Sequence, residues 1–199
     1  MKSGAGKGKL IAILALGLIL LLTVFYVLAN RRQPTDLTVL TATQATVQRD
    51  LESYYPQTPK AVVKYYAELT QCMYDPSNTD KEISELAKQS RLLFDEELRA
   101  TQTDEDYLNS LHMTINTFRN ESRKIISFTT SNSAEVEYRD TANGKLSSLY
   151  CVYTMQKDGV NYTDTEQFLL RKDEKGRWKI LGWQSPATVA PAEQEPQAQ

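Results

Sequence analysis

The chain has 199 residues, 41% apolar and 24% charged, with a formal net charge of −2, which suits one folded domain with appendages and argues against a two-domain enzyme. The charge is unevenly placed: residues 1–32 hold five Lys/Arg and no acid, so residues 33–199 carry 18 basic against 25 acidic residues, a net of −7. An acidic body argues against nucleic acid as a partner, because neutralising phosphate needs clustered positive charge, and two cysteines with one histidine leave a four-ligand zinc site dependent on carboxylates.

Leu10 to Leu28 is an uncharged run interrupted only by Gly17 and Thr23, and as a helix it spans roughly 28 Å, the thickness of a bilayer core. Fourteen of its nineteen residues are Leu, Ile, Val or Phe, so insertion of residues 10–29 as a transmembrane helix in membrane lipid is favourable by several kcal/mol, on the order of −0.3 to −0.6 each near the centre. Lys2, Lys7 and Lys9 precede the span, which biases residues 1–9 toward the cytoplasm and the remainder toward the outside, although Arg31 and Arg32 follow it. The competing reading is a signal peptide cleaved after Val27-Leu28-Ala29. The length of the run and the two arginines behind it favour a retained anchor. Both readings export the body; an inverted topology is the third.

Residues 30–57, rich in Thr and Gln with Pro34 and Pro56 near the ends, read as a stalk on which Leu40, Val47, Leu51 and Tyr54 form a weak helical stripe. Thr58 and Pro59 then start a helix whose face is Val62, Tyr66, Leu69 and Met73, and which stops at Asp75-Pro76. Thr79 with Glu82 makes a capping box before Ile83, Leu86, Ser90, Leu93 and Leu98. Thr103 with Asp106 repeats the pattern before Leu108, Leu111, Ile115 and Phe118.

After Arg123 the period becomes two. A strand around Ile125 to Thr130 is followed by alternation at Ala134, Val136 and Tyr138, an Asn143-Gly144 turn, a strand from Leu146 to Gln156, and a turn at Lys157-Asp158-Gly159. Strands over Tyr162 to Lys172 and Arg177 to Gln184 complete an antiparallel meander. Residues 58–184 thus form one α+β domain of three helices on a sheet of about five strands, and residues 185–199, with Pro186, Pro191 and Pro196, are expected to be disordered. Leu149, Cys151, Tyr153 and Met155 share one sheet face and Tyr150 and Val152 the other; strict alternation sets Trp178 and Ile180 against Leu181 and Trp183. With both faces apolar, the outer one is expected to have a cover, such as a second copy of the chain or a protein partner.

Three helices before an antiparallel sheet that ends in Gly176-Arg177-Trp178-Lys179-Ile180-Leu181-Gly182 resemble the nuclear transport factor-like cone fold. That superfamily includes dehydratases and ketosteroid isomerases, membrane-anchored VirB-type conjugation scaffolds, and accessory domains of cell-wall enzymes, so the fold does not choose a function. No catalytic Asp/Tyr arrangement and no Asn-Pro signature of the conjugation scaffold is found. More closely, the anchor, Tyr54-Tyr55-Pro56-Gln57-Thr58-Pro59-Lys60-Ala61-Val62-Val63-Lys64-Tyr65-Tyr66 and the same ending resemble an uncharacterised family of single-pass Gram-positive bacterial proteins. That resemblance implies a fold and a cell-membrane location, and no activity.

The remaining candidates have plain structural readings. His112 lies beside Leu111 on the third helix, where packing explains it. Cys72 and Cys151 can form a disulfide in an exported domain, but both sit in apolar runs where cysteine is readily buried. Asp95-Glu96-Glu97 and Asp104-Glu105-Asp106 read as solvated helix faces, since they lack a calcium-loop pattern. Ten of the eleven tyrosines fall in the body, filling a core or lining a cavity. No catalytic, cofactor-binding or metal-ligating residue is assigned. The expectation is a membrane-anchored extracytoplasmic interaction domain. The alternatives are a small-ligand or enzymatic site between helices and sheet, and an accessory scaffold of a secretion or cell-wall complex.

Overall fold

Threonine hydroxyls start the helices. In the computed structural model, which describes residues 41–186, Thr58 accepts from the Ala61 amide at 3.2 Å, Thr79 from Glu82 at 3.3 Å and Thr103 from Asp106 at 3.0 Å. The helices are α1 (Ala42–Val47), α2 (Pro59–Met73), α3 (Asp80–Arg91), α4 (Glu96–Ala100) and α5 (Asp104–Asn120). Those started by the expected caps are α2, α3 and α5. The expected cytoplasmic tail at 1–9, the span at 10–29 and most of the C-terminal tail lie outside the described residues; among the described residues no helix is long and apolar enough to cross a membrane.

The five strands are β1 (Arg123–Thr130), β2 (Glu137–Thr141), β3 (Gly144–Lys157), β4 (Val160–Lys172) and β5 (Trp178–Gln184), all antiparallel. This is the α+β arrangement expected. β1 and β2 do not pair with each other. They lie end to end along one edge of β3, β1 opposite residues 151–157 and β2 opposite 144–148, with a 3-10 turn at Ser133–Glu135 between them. Ala134 therefore sits in that turn and not in the expected strand. Asp158 and Gly159 both take positive φ, 51° and 81°, which fits a type I′ hairpin. At the other hairpin the turn sits one residue early, on Ala142 and Asn143, and Gly144 alone takes the positive φ, 110°.

The core lies between α2 and the inward face of the sheet. Val62, Tyr66, Leu69 and Met73 are buried on α2, facing Leu149, Cys151 and Tyr153 of β3, Phe168 and Leu170 of β4, and Ile180 of β5.

Three expectations change. The stretch 30–57 is not all stalk: Thr41 and Gln44 form a capping box that starts α1, and Leu51 and Tyr55 are buried in the core. The Tyr55 hydroxyl donates to the Trp178 carbonyl at 2.8 Å, and that of Tyr65 to the Thr46 carbonyl at 2.8 Å, so residues 41–57 are tied to β5 and α2. The helix expected to reach Leu98 ends at Arg91. The Ile180 amide donates to the Leu93 carbonyl and the Asp95 amide to the Ile180 carbonyl, both at 2.8 Å, so Leu93–Asp95 pairs with the outer edge of β5 before Asp95 caps α4.

The third change concerns Trp183. β4 and β5 pair Leu170 with Ile180 but Leu169 with Gly182, so Leu181 is an extra, bulged residue. The bulge reverses the alternation, and Trp183 faces the core with Trp178 and Ile180 instead of pointing outward. Its ring lies 5.2 Å from Tyr66, 5.7 Å from Phe94 and 5.9 Å from Phe168 between centroids.

Candidate functional site

Two regions carry groups that the fold itself does not use up. The first is a groove of about 780 Å³ on the outer sheet face, with Glu137 and Arg139 of β2 on one side, Leu181 and Gln184 of β5 on the other, and Gln167 and Leu169 of β4 between. Leu169 stays 39% exposed, and Tyr150 on the same face 41%. Among the described residues nothing covers them. Val152 and Leu181 are half-buried, so the outward apolar set is as expected apart from Trp183. Glu137 accepts from the Ser148 hydroxyl at 3.1 Å, while Arg139 stands exposed two residues along the same strand face.

The second lies at the far end of β4. Gln184 pairs with Gln167, so residues 160–166 of β4 extend past β5 and pair with β3 alone. On the inward face there, Glu166 stands opposite Cys151, Asp164 opposite Tyr153, and Tyr162 opposite Met155. Burial pushes the Glu166 carboxyl up to about 7, and the like charge of Asp164 adds to it. Burial also raises the phenols of Tyr66, Tyr74, Tyr107 and Tyr153, and the Cys151 thiol to about 12. The negative charge of Glu166 adds a smaller part to the rise at Tyr66, Tyr74, Tyr153 and Cys151. The hydroxyls of Tyr153, itself 3% exposed, and Tyr162 are buried without a hydrogen-bond partner. A thiol so strongly raised is a poor nucleophile.

The other sequence candidates are structural. His112 is half-buried on α5 with Nδ1 3.8 Å from the Asp80 carboxylate at the start of α3. Cys72 and Cys151 are free thiols, Cys72 lying 3.8 Å from the Thr46 hydroxyl. The first acidic run is not a solvated face throughout: Asp95 is buried, caps α4 and binds Arg171, which also reaches Glu97 at 3.1 Å. In the second run Asp104 pairs with Arg91. Sequence reasoning missed Glu166. The carboxylate stands between Thr165 and Gln167 with no motif around it, and the signal available was its place on the inward parity of β4, alternating with Phe168 and Leu170.

A layer of helices on one face of an antiparallel sheet, with a groove on the other, defines an α+β domain. The chain belongs to the family described as Domain of unknown function (DUF6715), whose profile matches residues 1–183 and so includes the apolar leader. No curated protein matches it. Among solved structures, the chain is similar to CagV, a VirB8 homolog of the T4SS from Helicobacter pylori strain 26695, at 13% identity and a TM-score of 0.34, over 62% of this chain and 95% of that one.

Proposed function

We propose that this chain is a single-pass membrane protein, of Gram-positive bacteria as its family resemblance implies, whose α+β domain works outside the membrane as an interaction module. Residues 10–29 hold it in the lipid with residues 1–9 in the cytoplasm, on the strength of the uncharged run and the lysines before it. The observation that carries the reading is the outer groove of about 780 Å³, with Leu169 uncovered at its base. Its occupant is a second copy of the chain. Glu137 and Arg139 lie two apart on one face of β2, so a two-fold axis between two such strands sets each Glu137 against the other copy's Arg139.

Sedimentation of the full chain in detergent tests this. The expected result is a dimer that Arg139→Glu weakens and that Glu137→Arg combined with Arg139→Glu restores, because the double reversal recovers the opposite-charge contacts. A monomer at every concentration, or indifference to Arg139→Glu, would overturn it. In-cell crosslinking that recovers one large membrane partner in place of a dimer would shift the reading to an accessory scaffold of a secretion or cell-wall complex.

A second reading, a small-ligand site at the inner end of the sheet, is favoured by Glu166 and Asp164 standing inward opposite Cys151 and Tyr153 and by the Tyr153 hydroxyl, which is buried without a hydrogen-bond partner. It assigns binding and no catalytic step.

A further inference from the structure

Beyond the two regions above, a cleft of about 770 Å³ opens where the β4–β5 hairpin meets α4 and the segment before α2. Its volume lies in the range of small-molecule sites, roughly 300 to 1,000 Å³. Six basic and five acidic residues line it, so its charges come close to balance, but the pairing among them is uneven. Arg171 is held by Asp95 and Glu97, and Arg177 by Asp173 at 3.0 Å. Lys179 stands directly opposite Arg171 in the β4–β5 register, which sets two like charges side by side on one sheet face. Among the described residues no carboxylate forms an ion pair with it. Its ammonium is half-buried, 4.5 Å from the centre of the Tyr55 ring, with the Arg177 guanidinium 5.2 Å from the same centre. It donates to the Leu92 carbonyl at 2.6 Å, which uses one of its N–H groups and leaves the others without a partner among the described residues. The Leu92 side chain is 46% exposed, an apolar surface on the wall of a charged cleft. Burial and the charges of Arg177 and Arg99 push the Lys179 ammonium down to about 8, and Asp173 and Asp95 act the other way without restoring it.

We propose that this cleft binds a small organic acid carrying one negative charge, with its carboxylate on the Lys179 ammonium and its apolar part against the Leu92 side chain. The carboxylate gives Lys179 the kind of partner that Asp95 and Asp173 give Arg171 and Arg177. An organic cation is excluded by the two positive charges already gathered at the Tyr55 ring. One negative charge fits better than two. Glu52, Glu96 and Glu174 are exposed on the same walls, and the remaining cations, Arg99, Lys172 and Lys175, do no more than offset them, so a phosphate dianion brings a charge that nothing in the cleft balances. Leu92 selects an organic acid over an inorganic ion, because covering its side chain adds apolar burial to the charge contact.

The test is calorimetric titration of the full chain in a non-ionic detergent at pH 7 with phenylacetate and, separately, with phenylacetamide, its uncharged isostere. Phenylacetate is expected to bind about tenfold more tightly, the size of a charge-assisted hydrogen bond to a half-buried ammonium. Lys179→Gln should erase that preference and Lys179→Arg should keep it, which separates loss of charge from loss of shape. Most of the preference should also disappear between pH 7 and pH 9, because the ammonium loses its proton through about 8 while the acid stays ionised. Leu92→Ser should weaken both probes alike. Equal binding of the two probes at pH 7, a preference that survives Lys179→Gln or the rise to pH 9, or no binding of either probe up to its solubility limit would overturn the assignment. Inorganic phosphate that binds more tightly than phenylacetate would overturn the choice of a singly charged organic acid.

Discussion

The Trp183 indole stacks on the Phe168 ring, centroids 5.9 Å apart and planes inclined by 25°, although Trp183 stands three residues beyond the inward Ile180. An odd spacing reverses the face of a regular strand. The bulge at Leu181 absorbs the extra residue, so the last aromatic of β5 closes the core against Tyr66 and Phe94 while Leu181 stays at the outer groove. One inserted residue thus removes a large ring from the outer face and adds it to the inner one.

Trp183→Ala should cost about 2 kcal/mol, below the usual range for a fully buried ring because the indole is partly exposed. Urea unfolding of the chain, read as a lower midpoint at unchanged slope, checks it. Leu181→Ala should leave stability nearly unchanged, and a loss from it as large as that from Trp183→Ala would contradict the assigned faces.

Arg171 joins β4 to the start of α4. Its Nε donates to Asp95 at 3.1 Å, its terminal nitrogen to the other Asp95 oxygen, and the same nitrogen reaches Glu97 at 3.1 Å. Asp95 is 6% exposed, so Arg171→Met strands a buried carboxylate, and the expected loss is about 2 kcal/mol once solvent screening of the partly exposed arginine is allowed for. Asp95→Asn keeps the cap of α4 and removes the charge. The double variant should therefore lose less than the sum of the two single ones, and strict additivity in unfolding experiments would show that the pair is not coupled.

Much of this fold was legible because local chemistry agreed with the tertiary arrangement. Thr58, Thr79 and Thr103 cap helices where their hydroxyls and following residues indicated, and Asp158-Gly159 turns where a type I′ hairpin demands positive φ. What could not be read depends on contacts distant in sequence. Leu93–Asp95 leaves helical geometry to pair with Ile180, Leu181 bulges because β4 and β5 meet in a shifted register, and Leu51 and Tyr55 are core residues only because β5 lies beside them. The apolar outer face was anticipated from two-faced strands, although the cover expected for it is not found among the described residues. Glu166 was not anticipated, because an acid on an inward strand position has no sequence pattern of its own; it becomes visible only when the strand register sets it opposite the buried Cys151.

The Tyr55 contact makes residues 41–57 part of the folding unit. Tyr55→Phe should cost about 1 kcal/mol through loss of the hydrogen bond to the Trp178 carbonyl. Removing residues 41–57 takes Leu51 and Tyr55 out of the core together, about 3 to 6 kcal/mol on side-chain burial, a large part of an ordinary domain's stability. Thermal unfolding of chains beginning at Thr41 and at Thr58 distinguishes the outcomes. Equal melting temperatures would return residues 41–57 to the role of a stalk.

Glu166 predicts a pH dependence of stability. Its folded pKa, about 7, lies above the ordinary carboxylate value, so between roughly pH 4.5 and 7 the folded chain holds a proton that the unfolded chain has released. Stability from this group is therefore full below the unfolded pKa and is lost as the pH rises through the folded one. The integrated loss is roughly 3 kcal/mol at most, since each pKa unit is worth about 1.4 kcal/mol. Glu166→Gln removes the titration while keeping shape and polarity. It should be nearly neutral at pH 4.5 and stabilising at pH 8, and urea midpoints of the two chains at these pH values isolate the effect from every other titrating group. An unchanged difference between the two chains across that range would mean that Glu166 remains ionised and solvated throughout.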